Sequence, residues 1–91
     1  MNVYTFVLDF KGGTYLSQVE AEDPFEAKAI WASNLDYKNI EGIGKKTKKD
    51  LIIQVDDEEP IPIIGLKKVW CISVLLRGHL GMVHYVQTDI E

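Results

Sequence analysis

Apolar and polar positions alternate along both ends of the chain and recur at helical spacing between them. From Val3 to Phe10, Tyr4, Phe6, Leu8 and Phe10 fall on one side and Val3, Thr5, Val7 and Asp9 on the other. One side is wholly apolar and the other nearly so, which predicts an inner strand. Lys11-Gly12-Gly13 supplies a turn that tolerates positive φ. Thr14 to Ala21 resumes the alternation, with Tyr15, Val19 and Ala21 opposite Gln18 and Glu20; Leu16 departs from it. Together these segments predict a β-hairpin. Val69 to Leu76 and Met82 to Thr88, joined by a turn over Arg77 to Gly81, predict a second hairpin.

Between the hairpins the period changes. Asp23 is placed to accept hydrogen bonds from the unpaired amides of a first helical turn. Pro24 suits the first helical position, and Glu26 stands at capping-box spacing from Asp23. Ala27, Ile30, Trp31 and Leu35 then form one apolar stripe, from which Lys28, Ser33 and Asp36 fall away. The helix is expected to end near Leu35 to Tyr37. Phe25 lies off the stripe and is expected either to pack on a neighbouring loop around Ile61 to Ile64 or to anchor a partner.

The middle of the chain carries mixed signals. Gly42 and Gly44 mark a loop, and Lys45-Lys46-Thr47-Lys48-Lys49 follows. Leu51 to Val55 reads as a strand from its β-branched residues, although Leu51, Ile52 and Val55 also fit one face of a short helix beginning in the lysine run. Asp56 to Pro62 reads as a loop, since four acids and two prolines oppose regular interior structure. Ile61, Ile63, Ile64 and Leu66 are expected to lay that loop on the core. The result is one α+β domain over residues 1–91: two layers, with an antiparallel sheet from two β-hairpins packed on one main helix. Its order is β-β-α, then a strand or short helix, then β-β. The apolar second face of the first strand needs a cover, and a second copy of the chain would provide one.

Composition narrows the function classes. The net charge of −4 argues against a dedicated nucleic-acid binder. A single cysteine, Cys71, does not fit a disulfide-stapled secreted domain, and the first residues do not resemble a signal peptide. No apolar run approaches the length of a membrane span. The expectation is a soluble cytoplasmic protein.

Candidate chemistry is sparse. His79 is expected at a turn tip and His84 in a strand, and no spacing typical of metal ligands joins them to Cys71. Cys71, between Trp70 and Ile72, reads as a small apolar strand residue with an inert thiol. Asp9, Glu20, Glu22 and Asp23 read as strand ends and a helix cap, with Asp9 placed to meet the amides of Gly12 and Gly13. Gly42-Ile43-Gly44-Lys45-Lys46-Thr47 has the residue types of a phosphate loop without its spacing. No catalytic residue, cofactor or metal is assigned. The best binding candidates are Lys45, Lys46, Lys48 and Lys49, joined by Lys67 and Lys68, because clustered lysines attract phosphates. No aromatic residue is interleaved with them, and the acids from Asp56 to Glu59 follow closely. Phe25 is the second binding candidate.

The run from Thr14 to Ala27, TYLSQVEAEDPFEA, resembles a pattern in small β-β-α domains, HicB-like antitoxin domains among them. In these a glycine-containing hairpin precedes a helix opening on Glu-Ala, and the resemblance implies a truncated RNase H-like sheet. It covers the first third of the chain. The Pro-Asp-Leu-Pro-Gly stretch that such chains carry before the helix is absent here, and no functional residue is carried over. The combined expectation is a non-enzymatic protein-interaction module whose partner is a second copy or another protein. The alternative is a nucleic-acid accessory or antitoxin-like protein using Lys45 to Lys49.

Overall fold

The computed structural model describes residues 1–88. Strands β1 (Asn2–Phe10) and β2 (Gly13–Ala21) form the first hairpin, and helix α1 (Pro24–Asn34) follows. A short 3-10 turn, Tyr37–Asn39, leads to helix α2 (Lys45–Asp57), then to the short strand β3 (Ile61–Pro62). Strands β4 (Val69–Leu76) and β5 (His79–Gln87) form the last hairpin. The five strands make one antiparallel sheet in the order β2-β1-β5-β4-β3. As expected, β1 is an inner strand. It is flanked by β2 and by β5, whose far end is tied by the Thr88 amide donating to the Val3 carbonyl at 2.8 Å.

Both hairpins close on the same two-residue turn. Lys11-Gly12 and Arg77-Gly78 each place a basic residue near φ +50° and a glycine at φ +80°. Positive φ at both central positions is the hairpin turn that matches strand twist. The second turn is therefore shorter than Arg77 to Gly81. His79 begins β5 and does not sit at a turn tip.

Asp23 caps α1 as its position implies, its carboxylate accepting the Glu26 amide at 2.8 Å. Ala27, Trp31 and Leu35 are buried against the sheet, and Ile30 packs at the margin. The sheet contributes Tyr4, Phe6, Leu8 and Phe10 from β1, with Ile72, Val74, Leu76, Val83 and Tyr85 from the last hairpin. Phe6 stacks on both Trp31 (ring centroids 5.1 Å apart) and Tyr85 (4.3 Å). That stack fixes α1 over the β2–β1 half of the sheet through contacts stronger than area alone supplies.

Three expectations need correction. Of the two readings of Leu51 to Val55, the helix beginning in the lysine run is the one that forms, and the favoured strand does not. The segment lies within α2, so two helices cover the sheet rather than one. Thr47, Leu51 and Val55 are its buried positions, at steps of four. Asp56 and Asp57 end that helix, and Ile61–Pro62 form an edge strand where only loop was expected. Pro62 is tolerated because it stands opposite Trp70, between the bonded positions Ile61 and Ile63, so its missing N–H faces away from β4. Nor does the stretch after it lie on the core: Ile64 is 99% exposed, and Ile61 and Leu66 are exposed too.

The fourth correction concerns Lys28. It does not point away from the core but is only 5% exposed, with its ammonium donating to the carbonyl oxygens of Val55 and Asp56, the latter at 3.1 Å. Lys48 returns the arrangement from α2, donating to Ser33 O at 2.8 Å and Leu35 O at 2.9 Å while lying over the Tyr37 ring. Neither helix has a basic residue in its own last turn. Each therefore satisfies its C-terminal carbonyls with a lysine from the other.

Candidate interaction surface

Both helices cover one face of the sheet; α1 lies against β2 and β1, α2 against β4. The opposite face carries no layer among the described residues. Alternation brings a row of side chains across it in register: Leu16 on β2, Val7 on β1, His84 on β5, Cys71 on β4 and Ile61 on β3. Leu16 is 67% exposed, and Ile61 is exposed as well. A second apolar pair, Leu75 opposite Leu80, lies near the β4–β5 turn, both exposed. Val86 and Val69 face each other towards the other end. The first-strand side Val3, Thr5 and Val7 is thus half-buried only by its sheet neighbours.

Polar groups on this face largely satisfy one another. The Gln18 amide donates to Thr5 Oγ1 at 2.9 Å. Asp9 is exposed and accepts from the Thr14 hydroxyl at 2.7 Å, so it does not serve the amides of Gly12 and Gly13. Cys71 and His84 are direct cross-strand neighbours. Burial pushes the Cys71 thiol above its ordinary value, which disfavours the reactive thiolate. Among the described residues no three His, Cys, Asp or Glu side chains converge to hold a metal ion. No described helix is long and apolar enough to cross a membrane.

The two edges of the sheet differ. On the β4 side, β3 covers Trp70 and Cys71. Beyond it the Gln54 side chain imitates a strand: its amide donates to Leu75 O at 2.7 Å and its carbonyl accepts the Leu75 amide at 2.8 Å. On the β2 side nothing comparable is present among the described residues. Phe10 and Gly13 close the tight turn, and the Thr88 amide reaches Val3 O, so the odd-numbered backbone groups of β1 point to β5 and the even-numbered ones to β2. It follows that Thr14, Leu16, Gln18 and Glu20 turn their N–H and C=O groups outward along the whole edge.

The lysine cluster is divided by the fold. Lys48 is committed to the α1 carbonyls. Lys45, Lys46 and Lys49 remain exposed on the first turns of α2, whose Gly44 cap offers no side chain. Lys45, Lys46 and Thr47 share an open cleft of about 670 Å³ with Asp50 and Arg77. Lys67 and Lys68 stand at the start of β4 and do not line it. Phe25, at the start of α1, is 60% exposed. Sequence reasoning missed the bare β2 edge; the only signal for it was Leu16, an apolar residue out of step with its strand. Neither a family model nor a curated protein nor a solved structure matches the chain.

Proposed function

We propose that this chain is a non-enzymatic protein-interaction module that works as a homodimer. The support is the sheet face left without a layer among the described residues, on which Leu16, Val7, His84, Cys71 and Ile61 stand in one cross-strand row, apolar but for His84. An apolar row of this kind on a small domain marks a place where another polypeptide packs. Its charged members are confined to Asp9 and Glu20 at the periphery, which suits a protein surface and not a polyanion. Sedimentation equilibrium over a wide concentration range tests the assembly. The expected species has twice the 10.3 kDa chain mass. A single-chain mass at the highest soluble concentration overturns the homodimer.

One observation favours a second reading, a nucleic-acid accessory or antitoxin-like role: Arg77 joins Lys45 and Lys46 around one cleft. Phosphate contacts by such groups weaken steeply with salt. A salt titration of RNA and DNA binding, with Lys45→Glu and Lys46→Glu as controls, tests it. Binding absent at low salt, or unchanged by the substitutions, removes it.

A further inference from the structure

Building on the homodimer reading, but with the contact at the sheet edge instead of across the bare face, we infer that the second copy adds to the sheet at β2, which leaves the bare face open to a further polypeptide. The two β2 strands run antiparallel about a two-fold axis at Ser17 and form one ten-stranded sheet.

The edge itself specifies an extended strand as its occupant. Thr14, Leu16, Gln18 and Glu20 present N–H and C=O groups outward, and none finds a backbone partner among the described residues. Edge strands of soluble proteins are normally short, bulged, or interrupted by proline or lysine, because such a row templates pairing. β2 has none of these features. It is nine residues long, its register with β1 is unbroken from Gly13 to Ala21, and its one charge is Glu20. The β4 edge of the same sheet is guarded by a proline-containing strand and by Gln54. The contrast lies within one molecule.

The occupant is a second copy because β2 is complementary to itself. Ser17 is the central residue of Gly13–Ala21. A two-fold there sets Leu16 against Gln18 of the second copy and Thr14 against Glu20, so all four outward residues gain bonded partners. Each Glu20 meets a threonine and the two carboxylates lie at opposite ends, which avoids the like-charge opposition that destabilises a ladder. Parity is preserved, so both helical layers fall on one side and the two bare faces join on the other. On the helical side, a cleft of about 170 Å³ beside the edge is lined by Ser17, Val19, Trp31 and Asn34. The pairing brings Tyr15 of the second copy opposite Val19, next to that cleft. Trp31 Nε1 donates to Ser17 Oγ at 3.0 Å and holds the centre of the strand in place.

Two variants test the pairing by sedimentation equilibrium. Gln18→Pro removes an N–H that bonds nothing among the described residues of one chain and sets a ring on the ladder. The expected result is a dimer weakened by roughly tenfold or more, with the circular dichroism of the folded chain retained. Ser17→Cys in a Cys71→Ser background tests the register without a proline. The central pair is of the non-hydrogen-bonded type, with Cα atoms about 4.5 Å apart, within disulfide reach. Mild oxidation should therefore give a covalent dimer. A folded Gln18→Pro chain that dimerises like the parent, or a dimeric Ser17→Cys chain that does not cross-link, overturns the edge pairing and leaves the homodimer standing. A monomeric parent chain overturns both.

Discussion

Lys28 on α1 donates its ammonium to the carbonyl of Val55 on α2, and Lys48 on α2 donates to the carbonyl of Ser33 on α1. The antiparallel helices thus end on each other's lysines. Replacing Lys28 by methionine keeps the buried stem and leaves the Val55 and Asp56 carbonyls without their donor. A charged hydrogen bond of this kind contributes about 2 kcal/mol. Urea unfolding of Lys28→Met should show a loss of that order, and Lys28→Ala a larger one because packing is lost as well.

The other end of α2 is electrostatically unfavourable. Lys45, Lys46, Lys48 and Lys49 crowd a helix N-terminus with no acid in its first turn, and Asp56 and Asp57 stand at the C-terminus. This reverses the arrangement that the helix macrodipole favours. Lys46→Glu should therefore raise stability, by about 0.5 kcal/mol at low ionic strength. The gain should shrink as salt is added. Thermal unfolding at two salt concentrations checks both points.

Gln54 guards the β4 edge through two hydrogen bonds to Leu75, and its amide also reaches Asp50 Oδ2 at 2.9 Å. Gln54→Ala should cost about 1–2 kcal/mol. It should also free the Leu75 backbone groups to template unwanted pairing. Light scattering during refolding should rise relative to the parent chain.

Tyr85 gives a dependence on alkaline pH. Burial foremost, then the neighbouring Tyr4 and Asp23, hold its phenol well above the ordinary 10.0. Its hydroxyl donates to Pro24 O at 2.9 Å. In the unfolded chain the phenol ionises near its ordinary value, so there the proton leaves at lower pH than in the folded chain. The contribution of Tyr85 is full below pH 10.0 and is lost as pH climbs towards the folded value. Tyr85→Phe should lose about 1 kcal/mol at neutral pH and show a shallower alkaline decline. Urea unfolding at a series of alkaline pH values compares the two.

The hairpins and α1 are legible in the sequence because each rests on local signals that agree: alternation, a glycine turn, an aspartate before a proline. α2 is only half legible, as one of two readings of Leu51 to Val55, for a physical reason. Its buried face is Thr47, Leu51 and Val55, one of them a polar residue type, and the adjacent Ile52 and Ile53 disguise the period as a strand. Lys28 misleads in the same way. A lysine reads as solvent-facing until a second helix brings carbonyls within reach of its ammonium. Ile61, Ile64 and Leu66 read as core and are exposed, since apolar type alone does not say whether a surface waits to receive it. The lysine cluster was visible in the sequence, but the loss of Lys48 to the α1 carbonyls depends on tertiary packing.

The β1–β5 pairing at the centre of the sheet also sets an order of events during synthesis. β1 and β2 emerge from the ribosome together and can zip at once, whereas β5 follows β1 by some seventy residues of chain. Until β5 arrives, the hairpin carries two open edges, and its Tyr4, Phe6, Leu8 and Phe10 side has no complete core beneath it. Closure across so long a sequence separation is slow relative to local pairing. A nascent hairpin with open edges is exposed to wrong partners in that interval, and docking of α1 through the Phe6–Trp31 stack covers its apolar face but not its edges.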